Sequence, residues 1–205
     1  MTAAPDFSLA GLYLFTWFFP MAISDTMLNY LLSVMLLEFF VIHASGFLGA
    51  YTQEWDSGGF RLGPVLGLGA FYTIFVGGFA VIMGEPWLIA AFWMLILNQL
   101  MGQFLGQGEP EERAQIRAAG WVARAVFYVG GVTLTMILPL PALGVSKEFY
   151  TLTEASAASG EWIDRPQTML ALGVLYFGAV GWFELNARAF AAKIKVTISQ
   201  GGKPS

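Results

Sequence analysis

The sequence predicts an all-α membrane protein, a bundle of about six transmembrane helices with five as the alternative and both ends in the cytoplasm. Three observations lead there. Hydrophobic residues make up 57% of the 205 residues and charged residues only 12%, whereas soluble domains carry about 25% charged residues. Between Ser8 and Asn186 the charges gather in short clusters, and the apolar stretches separating them can cross roughly 30 Å of hydrocarbon as helices. Lys and Arg are also unevenly shared between alternate connections, which orients the bundle.

The spans fall near 8–24, 27–51, 61–83, 86–106, 119–143 and 166–187. The first is short and holds Pro20, with Trp17, Phe18 and Phe19 before it, so it is expected to tilt or to lie partly in the interface. Ser24 and Asp25 stand where a helix start needs side-chain acceptors, ahead of Met27, and make spans one and two a hairpin. Gly84-Glu85-Pro86 provides a second tight reversal, with Pro suited to the first turn of span four. Span five is expected to begin outside the bilayer at Pro110, with Glu111 and Glu112 in its first turn, and to stop before Pro139 and Pro141. The connection Val145 to Arg165 is polar, and Thr153 to Ser159 is expected to form a short helix closed by Gly160. Residues 1–187 then form one transmembrane domain and 188–205 a basic tail.

Positively charged loops stay in the cytoplasm. With six spans, Arg61, Arg113, Arg117, Arg124, Arg188, Lys193, Lys195 and Lys203 lie inside, and only Lys147 and Arg165 lie outside. The Val145 to Arg165 connection therefore faces the exterior. Close approach of helices is expected at Gly63 and Gly67, at Gly102 and Gly106, and along Gly173, Gly178 and Gly181.

The candidate functional residues are the polar groups at bilayer depth, because an ionisable side chain there costs roughly 2.5–3.5 kcal/mol or more unless it is paired or hydrated. Glu38 is near mid-depth. His43, Asn98, Gln99, Gln103, Arg124 and Glu184 fall in the cytoplasmic half, and Tyr128 shares the Arg124 face of span five. These residues are expected to line one polar pocket, with Glu184 the preferred acidic partner of Arg124 on depth. Glu38 and His43 lie about 140° apart on an ideal helix and should meet different neighbours. The bland alternative is a buried ion pair that only fixes helix order.

Several functions lack their parts. Cysteine is absent, which excludes disulfides and thiolate metal sites. His43 is the sole histidine, so a bis-histidine haem cannot form. Every Lys lies in a loop or the tail, leaving no amine for an intramembrane retinal Schiff base. A zinc helix of the His-Glu-x-x-His type and a phosphate-binding Gly-Lys-Ser/Thr loop are missing from the sequence. Ser45 and His43 point apart on one helix, against a local nucleophile and base. No cofactor or metal is expected. The net charge of -4 and the lack of a basic block argue against nucleic acid as a partner. Met1 to Asp6 carries no Lys or Arg, so the first apolar segment is read as part of the fold and not as a cleaved signal.

The segment Tyr30 to Glu38 in a second span, with Arg124 early in a fifth, resembles uncharacterised bacterial polytopic inner-membrane proteins. That resemblance implies a compact helical bundle in the cytoplasmic membrane and no established activity. Three function classes follow from the residues: a small-solute, ion or proton pathway, which leads; an accessory or scaffold subunit; and an enzyme acting on a lipid, with His43 or Glu38 as base and Arg124 holding an anionic head group. The expected partners are membrane lipids, with other membrane subunits or a second copy of the chain as candidates.

Overall fold

The computed structural model describes residues 3–24, 26–53, 62–105, 110–145 and 160–201. The helices are α1 (Ala4–Phe18), α2 (Met27–Gln53), α3 (Leu62–Met83), α4 (Trp87–Leu105), α5 (Pro110–Ile137), a short α6 (Glu161–Asp164) and α7 (Pro166–Gly201). Helix is the only regular structure among the described residues. Four helical segments are long and apolar enough to cross a membrane: Met27–Phe47, Leu66–Met83, Ala118–Ile137 and Pro166–Asn186. In α4 the apolar stretch Trp87–Asn98 is shorter, and α1 has 15 residues, about 22 Å of helix at 1.5 Å per residue.

Helix α1 ends at Phe18 because Pro20 lacks an N–H and biases Phe19 away from helical angles. Its last turn is clasped from the far side, where Trp17 Nε1 donates to the Pro141 carbonyl at 3.1 Å and the Gly144 N–H donates to the Trp17 carbonyl at 3.1 Å. Ser24 Oγ accepts from the Thr26 N–H at 3.1 Å just ahead of α2; Asp25 lies outside the described residues. The reversal after α3 is a Schellman motif. Gly84 takes φ +68, its N–H reaches the Val81 carbonyl, and the Glu85 N–H reaches that of Ala80 at 2.8 Å. Glu85 then accepts from Trp87 Nε1 at 2.7 Å, tying the turn to α4. The segment expected to be helical, Thr153 to Ser159, lies outside the described residues. Helix α7 runs on past Asn186 to Gly201, so the backbone of the basic tail continues the last span.

Two cores share α2. Tyr13 of α1, Leu31, Met35 and Ile42 of α2, Tyr128 of α5 and Leu172, Tyr176 and Phe177 of α7 form one. Leu37, Phe40 and Ala44 of α2 join Tyr72 and Val76 of α3 and Leu88, Phe92 and Ile96 of α4 in the other. This is why α2 is apolar on nearly all sides: it is the wall between two packed units. The outward faces carry Ile74 at 73% exposed, Val81 at 83%, Met94 at 71% and Ile137 at 75%, the surface that lipid covers in a multi-pass protein.

Phe7 lies against Gly181 and Tyr13 against Gly173, so α1 runs antiparallel to α7. At Gly173 the Tyr13 ring occupies the place a Cβ would take, which lets two helices approach without the hydrophobic drive available in water. Gly178, expected to serve the same stripe, has open space around it, as does Gly67.

Candidate polar centre

One face of α2 collects donors from three other helices. Positions 31, 35, 38 and 42 repeat at helical spacing. Tyr13 Oη of α1 donates to the Leu31 carbonyl at 2.7 Å, and Tyr128 Oη of α5 to the Met35 carbonyl at 3.0 Å. Tyr176 Oη of α7 donates to Glu38 Oε2 at 2.8 Å, and Trp121 Nε1 of α5 to the Ile42 carbonyl at 2.7 Å. The three tyrosine rings bury their apolar bodies in the core and give their polar tips a partner, whereas Trp121 is 40% exposed. Tyr128 meets Tyr176 edge-on at 5.5 Å, and Tyr176 meets Phe177 at 4.9 Å.

Arg124 of α5 stands between two carboxylates. Its Nη2 donates to Glu184 Oε1 of α7 at 2.8 Å, while Nη1 lies 3.9 Å from Glu38 Oε2. The Glu184 contact is the charge-assisted hydrogen bond; the Glu38 contact is an ion pair without hydrogen-bond distance. The side chains of Glu38 and Glu184 are 16% and 13% exposed and that of Arg124 is 35% exposed, so the carboxylates are sheltered and the guanidinium is the accessible member. Glu38 Oε2 accepts from the Tyr176 hydroxyl and faces the guanidinium as an ion pair.

Asp6, in the first turn of α1, completes the arrangement. The Phe7 ring seats beside Gly181, one turn before Glu184 on α7, and the partly buried Asp6 carboxyl interacts electrostatically with Glu184, Arg124 and Glu38. Asp6 lies ahead of the four apolar spans. Loss of solvation pushes its carboxyl up to about 6, the charges of Glu184 and Glu38 push the same way, and Arg124 opposes them.

Of the eight residues expected in one pocket, the structure brings Glu38, Arg124, Tyr128 and Glu184 together. His43 is exposed, its Nδ1 donates to the Phe39 carbonyl of its own helix at 2.8 Å, and its ring lies 4.2 Å from that of Phe39. A carbonyl only accepts, so Nδ1 carries the proton. Asn98 is exposed on α4, a helix packed on α2 and α3. The side chains of Gln99 and Gln103 lie outside the described residues. Sequence reasoning missed Asp6, Tyr13 and Tyr176. The available signal was helical phase: Tyr176 precedes Glu184 by eight residues and Tyr13 follows Asp6 by seven, which puts each pair on one face.

Among the described residues, no three His, Asp or Glu side chains converge closely enough to hold a metal ion. The chemistry available is acid–base: three carboxyls, one fixed cation and a tyrosine hydroxyl. No protein-family model, curated protein or solved structure matches the chain, so the reading of this centre rests on its geometry.

Proposed function

We propose that this chain is a multi-pass protein of a bacterial cytoplasmic membrane that moves protons, with Glu38, Arg124, Glu184 and Asp6 as its exchange centre. One observation carries the reading: carboxylates from two helices flank a single guanidinium, and the Asp6 carboxyl of a third helix interacts electrostatically with all three. Fully ionised, the centre would hold two negative charges more than positive ones at membrane depth, a costly state that binding a proton relieves. Asp6, whose carboxyl is pushed up to about 6, exchanges that proton near neutral pH. In this reading the chain crosses the membrane six times, the first crossing running from Ser8, and both ends are cytoplasmic, which leaves Asp6 outside the crossing segment at the cytoplasmic mouth and Glu38 deeper. The Lys and Arg distribution supports that orientation. Lipids are the surrounding partners of the exposed apolar faces.

A second reading is an accessory subunit in which the cluster only fixes helix order. It is favoured by the 2.8 Å Arg124–Glu184 bond, which already satisfies one acid. Catalysis on a lipid has less support, because His43 stands apart from the centre. Purified protein in liposomes, driven by a potassium gradient with an ionophore and read with an internal pH dye, separates the first two readings. Proton flux that falls on Glu38→Gln supports the pathway; absence of flux above protein-free liposomes leaves the subunit.

A further inference from the structure

The polar centre opens toward Asp6 at one end, and the opposite half of the bundle contains hydroxyls that pairing at Arg124 does not require. Tyr13, Tyr128 and Tyr176 come from three helices and are 0%, 5% and 0% exposed. Their hydroxyls meet α2 at Leu31, Met35 and Glu38, one per turn of the same face. Beyond Tyr13, one turn further along α1 on the same face, Thr16 is 1% exposed and its Oγ1 has no hydrogen-bond partner. A buried hydroxyl left unpaired costs about 1–3 kcal/mol, and a water bound there removes that cost. Thr16, Tyr13, Tyr128 and Tyr176 therefore descend in order toward Glu38.

We propose that these four hydroxyls, with water between them, form the outer half of the pathway and carry protons between the far membrane face and Glu38. The inference rests on the proton-pathway reading above. Steps of three or four residues along α2 separate the tyrosine levels by about 4.5–6 Å, too far for direct contact and suited to one bridging water each. Tyr13 turns its O–H from the Leu31 carbonyl toward the next water and releases its proton there as its oxygen takes one from the water at Thr16. Tyr128 repeats the exchange after turning from the Met35 carbonyl. Tyr176, already donating to Glu38 Oε2, gives its proton to that carboxylate and takes one from the water behind it. Each tyrosine begins and ends neutral, and one proton has moved from the outer water to Glu38.

The test is the liposome flux assay on wild type, Tyr13→Phe, Tyr128→Phe and Thr16→Val, with melting temperature measured for each. Trp87→Phe is the control, because it removes an indole bond of similar length to Glu85 at the turn between α3 and α4, away from the polar centre. The expected result is a flux loss of about tenfold for each tyrosine variant, the equivalent of one lost hydrogen bond, with Trp87→Phe conducting like wild type. Should the tyrosine variants fold poorly, Thr16→Val decides. Replacing a hydrated hydroxyl lowers flux without raising the melting temperature, whereas replacing a dry unpaired one raises the melting temperature and leaves flux unchanged, which overturns the inference. Wild-type flux that depends on Glu38 and survives all three substitutions overturns the tyrosine route and leaves the pathway standing. Wild-type protein without flux overturns both.

Discussion

Replacing Arg124 with leucine removes the cation shared by Glu38 and Glu184 and leaves two sheltered carboxylates without it. Breaking a fully buried pair costs about 3–5 kcal/mol. The Arg124 side chain is 35% exposed, so screening reduces the expected loss to about 2–3 kcal/mol. Glu184→Gln should cost less, about 1–2 kcal/mol, because the amide oxygen still accepts from Nη2 and Arg124 retains Glu38 as its counter-charge. The double variant should then be less damaging than the sum of the single changes, with a coupling of about 1–2 kcal/mol, because both changes act on the same 2.8 Å contact. Reversible unfolding in mixed micelles, followed by tryptophan fluorescence, measures all three. If both single variants lie within about 0.5 kcal/mol of wild type, as surface substitutions do, Arg124 is not held as described and the centre loses its middle.

Asp6→Asn should stabilise the protein at pH 7.5, by about half as much at pH 5, and change little below pH 3.8, read as melting temperature in detergent. The sign follows from linkage: with the folded-state carboxyl raised from 3.8 to about 6, the stability it contributes is complete below 3.8 and is lost as pH rises through 6. The full effect is about 3 kcal/mol, which partial exposure reduces to on the order of 1 kcal/mol. Gly173→Ala should lower stability by about 1–3 kcal/mol, because Tyr13 fills the space the new methyl needs, whereas Gly178→Ala, in open space, should be neutral or slightly stabilising. Compartment reporters fused after Ser205 should read cytoplasmic and those inserted between Val145 and Arg165 external; the reverse pattern would invert the depth order of the centre.

Depth along the helices was enough to pair Arg124 with Glu184 from sequence, because a position within an apolar run translates into height. Azimuth was harder to read. Helix α2 is apolar on both sides, so its sequence does not say which face meets α5 and α7 and which meets α3 and α4, and His43 could not be separated from the centre by more than its angle to Glu38. Asp6 was hidden because an acid ahead of an apolar run reads as the solvated start of a helix; only the seating of Phe7 beside Gly181 brings it near Arg124. Tyr13 and Tyr176 were hidden because rings at helical spacing read as core packing, and the partner of the Tyr13 hydroxyl is a backbone carbonyl that leaves no mark in sequence. Helix ends followed different rules. Pro20 stops α1 earlier than hydropathy suggested, and α7 continues past Asn186 because residues 187–200 contain neither Pro nor Gly to break it.

The central claim is that carboxyls outnumber the cation in this centre and that a proton makes up the difference. Infrared difference spectroscopy of the protein in lipid, titrated between about pH 5 and pH 8, observes the protonated carboxyl directly. The account predicts a protonated-carboxyl band that fades as pH rises through about 6 and is missing in Asp6→Asn. A spectrum with no protonated carboxyl at pH 5, or a band unchanged by Asp6→Asn, would contradict it.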